Sequence, residues 1–392
     1  MSKRRGDGVS VIELTIAMAL LLALTAGMVA ALARMQGASA FEPGASELQQ
    51  RLRVAADALF KDLAAGGAGP SIGRRSGALL FAVAPLLPFR HGGSAADPPG
   101  TFAADRLSIL SVPAAAAWTT LAADLVPGGT TLQAEPEADC AAGVNLCGFA
   151  PGTTLLVYDR AGGFEAFTLA AVDDASAQLH IASRPESSSG MLFRAGSTVV
   201  EGRIDEYFLN AQTAQLMHGD GTGRPDTPVV DHVVGLAFEY FGEPRAPALI
   251  GGGGDPAVLR TTYGPKPPAL DARTSMYPAG ENCVFRVDAT GTGQESRLPD
   301  LSSDPALMAL SAEPLTDGPW CPDAISGNRW DADLLRIRSV VVTLRVESAV
   351  AALRGPAGTL FTNGGMSRNP ARWMPDVERR FAVSPPNVNV AR

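Results

Sequence analysis

Residues 3–33 read KRRGDGVSVIELTIAMALLLALTAGMVAALA, and the order of charge, glycine and apolar run within them decides the fold. Lys3, Arg4 and Arg5 come first, and from Val9 to Ala33 the only charged residue is Glu13. A helix rises about 1.5 Å per residue, so this run is long enough for a hydrocarbon core of about 30 Å. The basic cluster ahead of it holds the N-terminus in the cytoplasm and places everything after Arg34 on the far side, as expected for a single-pass membrane protein with an extracytoplasmic body. A secretory signal peptide would have a shorter apolar core with its cleavage site behind it. Here the candidate processing point, Gly8, stands in front.

Beyond Arg34, Gly37 and the Pro43-Gly44 pair are expected to break or kink the helix, with Ser46 capping a second stretch. Leu48, Leu52, Ala55, Leu59 and Leu63 then recur at spacings of three and four, so one stripe faces a core. Gly66 to Pro70 ends it. The expected divisions are a leader at 1–8, an apolar helix at 9–33, an extracytoplasmic amphipathic helix at 34–65 and a β-rich body at 66–392. Strands are expected at Ala78–Val83, Arg106–Val112, Thr154–Tyr158, Phe164–Val172, Gln178–Ile181, Ser197–Leu209, Ala214–Met217, Val233–Phe241 and Ile337–Glu347. In the last of these Val340, Val342, Leu344 and Val346 share one face, but Arg338 falls on that apolar face. The fold class is therefore α+β, a long N-terminal hydrophobic helix on a mostly antiparallel sheet body. Residues 113–150 and 242–335, rich in glycine, proline and cysteine, read as loop insertions.

Gly8 followed by Val9-Ser10-Val11-Ile12-Glu13-Leu14 resembles the class III signal of type IV prepilins and type II secretion pseudopilins. Gly8 puts Glu13 at the fifth position of the mature chain, whereas Gly6 would put it at the seventh. The resemblance implies that a prepilin peptidase cuts after Gly8 and methylates Val9, and that Glu13 pairs with the N-terminal amine of a neighbouring subunit. Val9 stands where the family more often has phenylalanine or methionine, and Asp7 precedes the glycine. A carboxylate near the centre of a membrane helix costs about 2.5–3.5 kcal/mol, so Glu13, though shallower, still asks for a partner. The alternative is a side chain that reaches back to the interface. Gly152–Tyr158, Glu206–Leu209 with Leu216–His218, and Val230–Tyr240 are similar to the body of W-type minor pilins and, more loosely, of J-type minor pseudopilins. Arg336–Val346 and Arg379–Val383 resemble that family's last strands.

The 392 residues are 46% hydrophobic with a net charge of −8, which disfavours nucleic acid as the main partner. Four cysteines in no zinc spacing fit two local disulfides in an oxidising compartment, Cys140 with Cys147 and Cys283 with Cys321, although four cysteines allow three pairings. No cofactor is expected. Asp220 and Asp226, and Asp331 with Asp333, are the weak calcium candidates; without EF-hand spacing they read better as solvated turn carboxylates. No catalytic motif is present and no enzyme is expected. Asp231 and His232, as strand neighbours, point to opposite faces, and His218 with Asp220 fits a turn.

Together these readings lead to the expectation of a minor pilin or pseudopilin, processed and then assembled with other minor subunits, at the tip of a filament where it primes assembly. The rival is an adhesin-like module displayed at that tip, or a plain single-pass anchored domain.

Overall fold

Ser10 is the residue before a 55-residue α-helix, Val11–Ala65, in the computed structural model, which describes residues 10–72, 75–88, 102–137, 140–182, 191–221, 224–249 and 263–389. The helix does not break at Pro43-Gly44 as the sequence suggests, nor at Gly37. Proline removes one hydrogen bond and crowds the preceding turn, a cost of about 3 kcal/mol that long flanking helix can absorb. Gly44 shows what the pair does instead. A β-carbon there would lie 3.1 Å from Met374 Cε and 3.4 Å from Leu353 Cδ1, so the bare backbone admits a second segment against the helix. The expected stripe of Leu48, Leu52, Ala55, Leu59 and Leu63 is buried throughout. Gly66 and Gly67 stop the helix, the latter at φ +80°.

The chain forms two compact units, one of residues up to Arg51 with Val346–Val377, the other of Leu52–Arg345 with Glu378–Arg392. The second unit carries the sheets, whose mapped pairings are antiparallel. A six-stranded sheet runs in the order 118–120, 198–201, 154–158, 164–173, 178–181, 131–133. A five-stranded sheet runs 227–231, 215–219, 203–210, 106–111, 86–88, and a four-stranded sheet 308–310, 233–242, 337–346, 377–383.

Three expectations from the sequence are corrected here. Ala78–Val83 is not a strand: Leu79–Phe81 is a 3₁₀ turn following a short strand that ends at Ala78. Ser197–Leu209 is two strands, in different sheets, parted at Gly202. A β-carbon on Gly202 would sit 2.6 Å from Leu156 Cβ, so only glycine lets the chain change sheets so close to its neighbour. Residues 113–150 are not plain loop either. They supply both outer strands of the six-stranded sheet, 118–120 and 131–133, and bury Leu121, Leu125, Leu132 and Phe149 in its core. Their apolar residues are spaced among glycine, alanine and proline, which hides three-residue strands from a periodicity reading. Residues 242–335 likewise hold short strands at Phe285–Val287, Gln294–Ser296, Met308–Leu310, Trp320–Cys321 and Trp330–Asp331.

Arg338, the misfit in the best strand pattern, is 2% exposed. Its guanidinium reaches Glu243 Oε1 at 3.1 Å, donates to the Leu335 carbonyl at 2.7 Å and lies 4.8 Å from the Tyr263 ring centre. Buried charge is tolerable when it is paired and hydrogen-bonded, as it is here.

Candidate functional site

From Val11 to Val29 every large apolar side chain is more than half exposed. The Val11–Ala31 stretch is long and apolar enough to cross a membrane. Leaving such side chains in water forgoes about 1.5–3 kcal/mol each, so a segment of this kind calls for an apolar environment.

The start of that helix is closed by its own side chains. Ser10 Oγ accepts the Ile12 N–H at 3.3 Å, and the Ser10 N–H donates to Glu13 Oε2 at 3.1 Å. This reciprocal cap is legible as Ser10-Val11-Ile12-Glu13, a serine followed three residues later by glutamate, and sequence reasoning spent on Glu13's membrane position passed over it. A cut behind Gly8 would leave the Ser10 amide, and with it the cap, intact. Gly8 and Val9 themselves lie outside the described residues.

At its other end the helix is fastened by a polar cluster. Asp62, 6% exposed, accepts a 2.6 Å hydrogen bond from the Tyr207 hydroxyl and lies 3.6 Å from Arg203. Arg203 donates to Asp205 Oδ1 at 2.6 Å, and His218 Nε2 is 3.0 Å from the same oxygen. The Tyr207 and His218 ring centres lie 5.0 Å apart with their planes tilted by 51°. Burial, with the hydrogen bond to Asp62, pushes the Tyr207 hydroxyl far above its ordinary range. The hydrogen bond to Asp205 raises His218, against the opposing effect of burial. Asp62, Asp205 and His218 could hold a metal by their spacing, but the Arg203 guanidinium already sits on both carboxylates. The sequence did not reveal this cluster, because its members come together only when the 203–210 and 215–219 strands pair beneath the last turns of the helix. His218 therefore belongs with Asp205, not with Asp220 in a turn. Asp220 faces Arg224 at 3.5 Å.

The remaining candidates have structural roles. Cys140–Cys147 and Cys283–Cys321 are disulfides, with Cα separations of 5.6 and 5.1 Å. Asp331 and Asp333 are not solvated turn carboxylates but 1% and 3% exposed. Asp331 accepts the Gly318 N–H at 2.6 Å and the Asp333 N–H at 2.8 Å, capping the 3₁₀ turn Ala332–Arg336, and Asp333 pairs with Arg336. Burial raises Asp331 to about 8, and Asp333 to about 6 against the pull of Arg336. With Asp317 they bring three carboxylates together, yet both Asp331 oxygens already accept backbone N–H groups and Asp333 Oδ1 holds the Arg336 guanidinium. Asp226 joins no such trio among the described residues. Asp231 accepts from Gln215 Nε2 at 2.7 Å, while His232 sits at φ +60° between two strands. No known family model matches this chain, and no curated protein matches it in sequence.

Proposed function

We propose that the chain is a minor subunit of a type IV pilus or type II secretion pseudopilus, cut after Gly8 by a prepilin peptidase and held in the inner membrane by the Val11–Ala31 helix before assembly. One observation carries this reading. An exposed apolar segment, Val11–Ala31, belongs to one helix whose later residues, Leu52, Leu59 and Leu63, are buried in a β-rich body. A simple membrane tether needs no such continuity, whereas a subunit that must transmit its position in a filament core to its body does. Glu13 then has two successive partners, the Ser10 amide within the chain and a neighbouring subunit's amine after assembly. The large body suits a subunit present at low copy, at the tip, where other minor pilins contact it.

Glu13→Gln preserves size and most of the cap but removes the charge. Co-isolation of the detergent-solubilised protein with its fellow minor subunits should fall at least several-fold in this variant, with membrane retention unchanged. Undiminished co-isolation would contradict the proposed pairing.

A further inference from the structure

The 346–337 strand and the strand beginning at Val377 are neighbours in one sheet, yet the chain takes about thirty residues to pass between them. This excursion packs on the helix through Leu353 and Met374 at Gly44, and belongs to the same unit as the apolar segment. Its composition is unlike the rest of the protein. Residues 347–376 contain Arg354, Arg368 and Arg372 against Glu347 and Asp376, a local net charge of +1 in a chain whose net charge is −8. Arg354 is paired with Glu347 at 2.5 Å. Arg368 and Arg372 are exposed, and among the described residues neither has a carboxylate within ion-pair distance. Beside them stand exposed apolar side chains, Met366 at 73% and Leu360 at 50%. Met366, Arg368 and Trp373 line a shallow open recess.

Gly44 lies thirteen residues beyond Ala31, about 20 Å along the helix. The headgroup layer takes up about 5–7 Å of that distance, leaving about 13 Å between it and Gly44. We infer that this excursion is a basic collar that rests on anionic phospholipid headgroups at the outer surface of the bilayer while the helix is inserted, with Met366 and Leu360 reaching the interface. The inference rests on the membrane-inserted state of the proposed function. Arginines near an anionic surface are attracted over a Debye length of about 8–10 Å, and exposed thioether and leucine side chains add an apolar contact. On leaving the membrane for a filament the collar would give up these contacts.

The test is hydrogen exchange of backbone amides 360–373 in the full-length protein, reconstituted in nanodiscs of phosphatidylcholine alone or with about one-third phosphatidylglycerol. Exchange should be several-fold slower in the anionic discs, and the difference should vanish in Arg368→Glu/Arg372→Glu and in high salt. Equal exchange in both discs would overturn the inference, as would protection that survives charge reversal or that arises only when an acidic partner protein is added. Failure of the chain to enter either disc would instead overturn the membrane reading on which the collar depends.

Discussion

His218 carries the clearest electrostatic consequence at the scale of single residues. Two carboxylates, Asp62 and Asp205, meet one guanidinium, Arg203, so the cluster is neutral only when His218 is protonated. Its folded value is raised above the ordinary 6.5 by Asp205. The stabilisation is therefore complete below about pH 6.5 and is lost as pH rises through the folded value, because the unfolded chain gives up the proton first. The raised Asp331 and Asp333 act with the same sign, since the folded state holds their protons where the unfolded state has released them. Comparison with His218→Gln separates the two effects. The urea midpoint of the wild type should fall more steeply than that of the variant between pH 6 and 8, and parallel curves would show that His218 does not couple to folding. None of this was visible in the sequence, where Asp62, Asp205 and His218 are spread over more than 150 positions. Arg338 is the opposite case. Its place on an apolar face was plain from the alternation, and only the partner, Glu243, was hidden.

Among the elements, the long helix was legible in its apolar run and its buried stripe but not in its continuity. Pro43-Gly44 is a local signal for a break or kink, yet the helix continues through it, and the missing β-carbon of Gly44 leaves room for Leu353 and Met374. Gly44→Val should lower stability by about 1–3 kcal/mol through overpacking, whereas Gly44→Ala, whose helix preference is better by about 0.5–1 kcal/mol, should be nearly neutral. Faster proteolysis within 354–372 in the valine variant would report the loosened segment; a valine variant as resistant as wild type would mean that the packing at Gly44 is slack. Two strands, Thr154–Tyr158 and Gln178–Ile181, matched the sequence reading residue for residue, others shifted by a residue or two at their ends, and Thr227–Asp231 was not foreseen. Three-residue strands did not match, because a period of two cannot establish itself over so few positions. Gly202 shows the complementary difficulty: a run of apolar and polar residues that reads as one strand changes sheets at the one residue lacking a side chain.

For the molecule as a whole, the order of parts was available from the first 70 residues, whereas the number of sheets and the role of residues 113–150 depended on long-range pairing that a linear pattern does not encode. The same holds for function. The proposed function rests on an exposed apolar segment that is one helix with the stripe buried in the β-rich body, and on the resemblance of Gly8 to Glu13 to a prepilin signal. The most direct measurement is the intact mass and N-terminal peptide of the full-length protein expressed with and without a prepilin peptidase. The account requires a chain beginning at methylated Val9 in its presence and an uncut chain both in its absence and in a Gly8→Ala variant. An uncut N-terminus beside an active peptidase would contradict the pilin reading and leave a membrane-tethered domain.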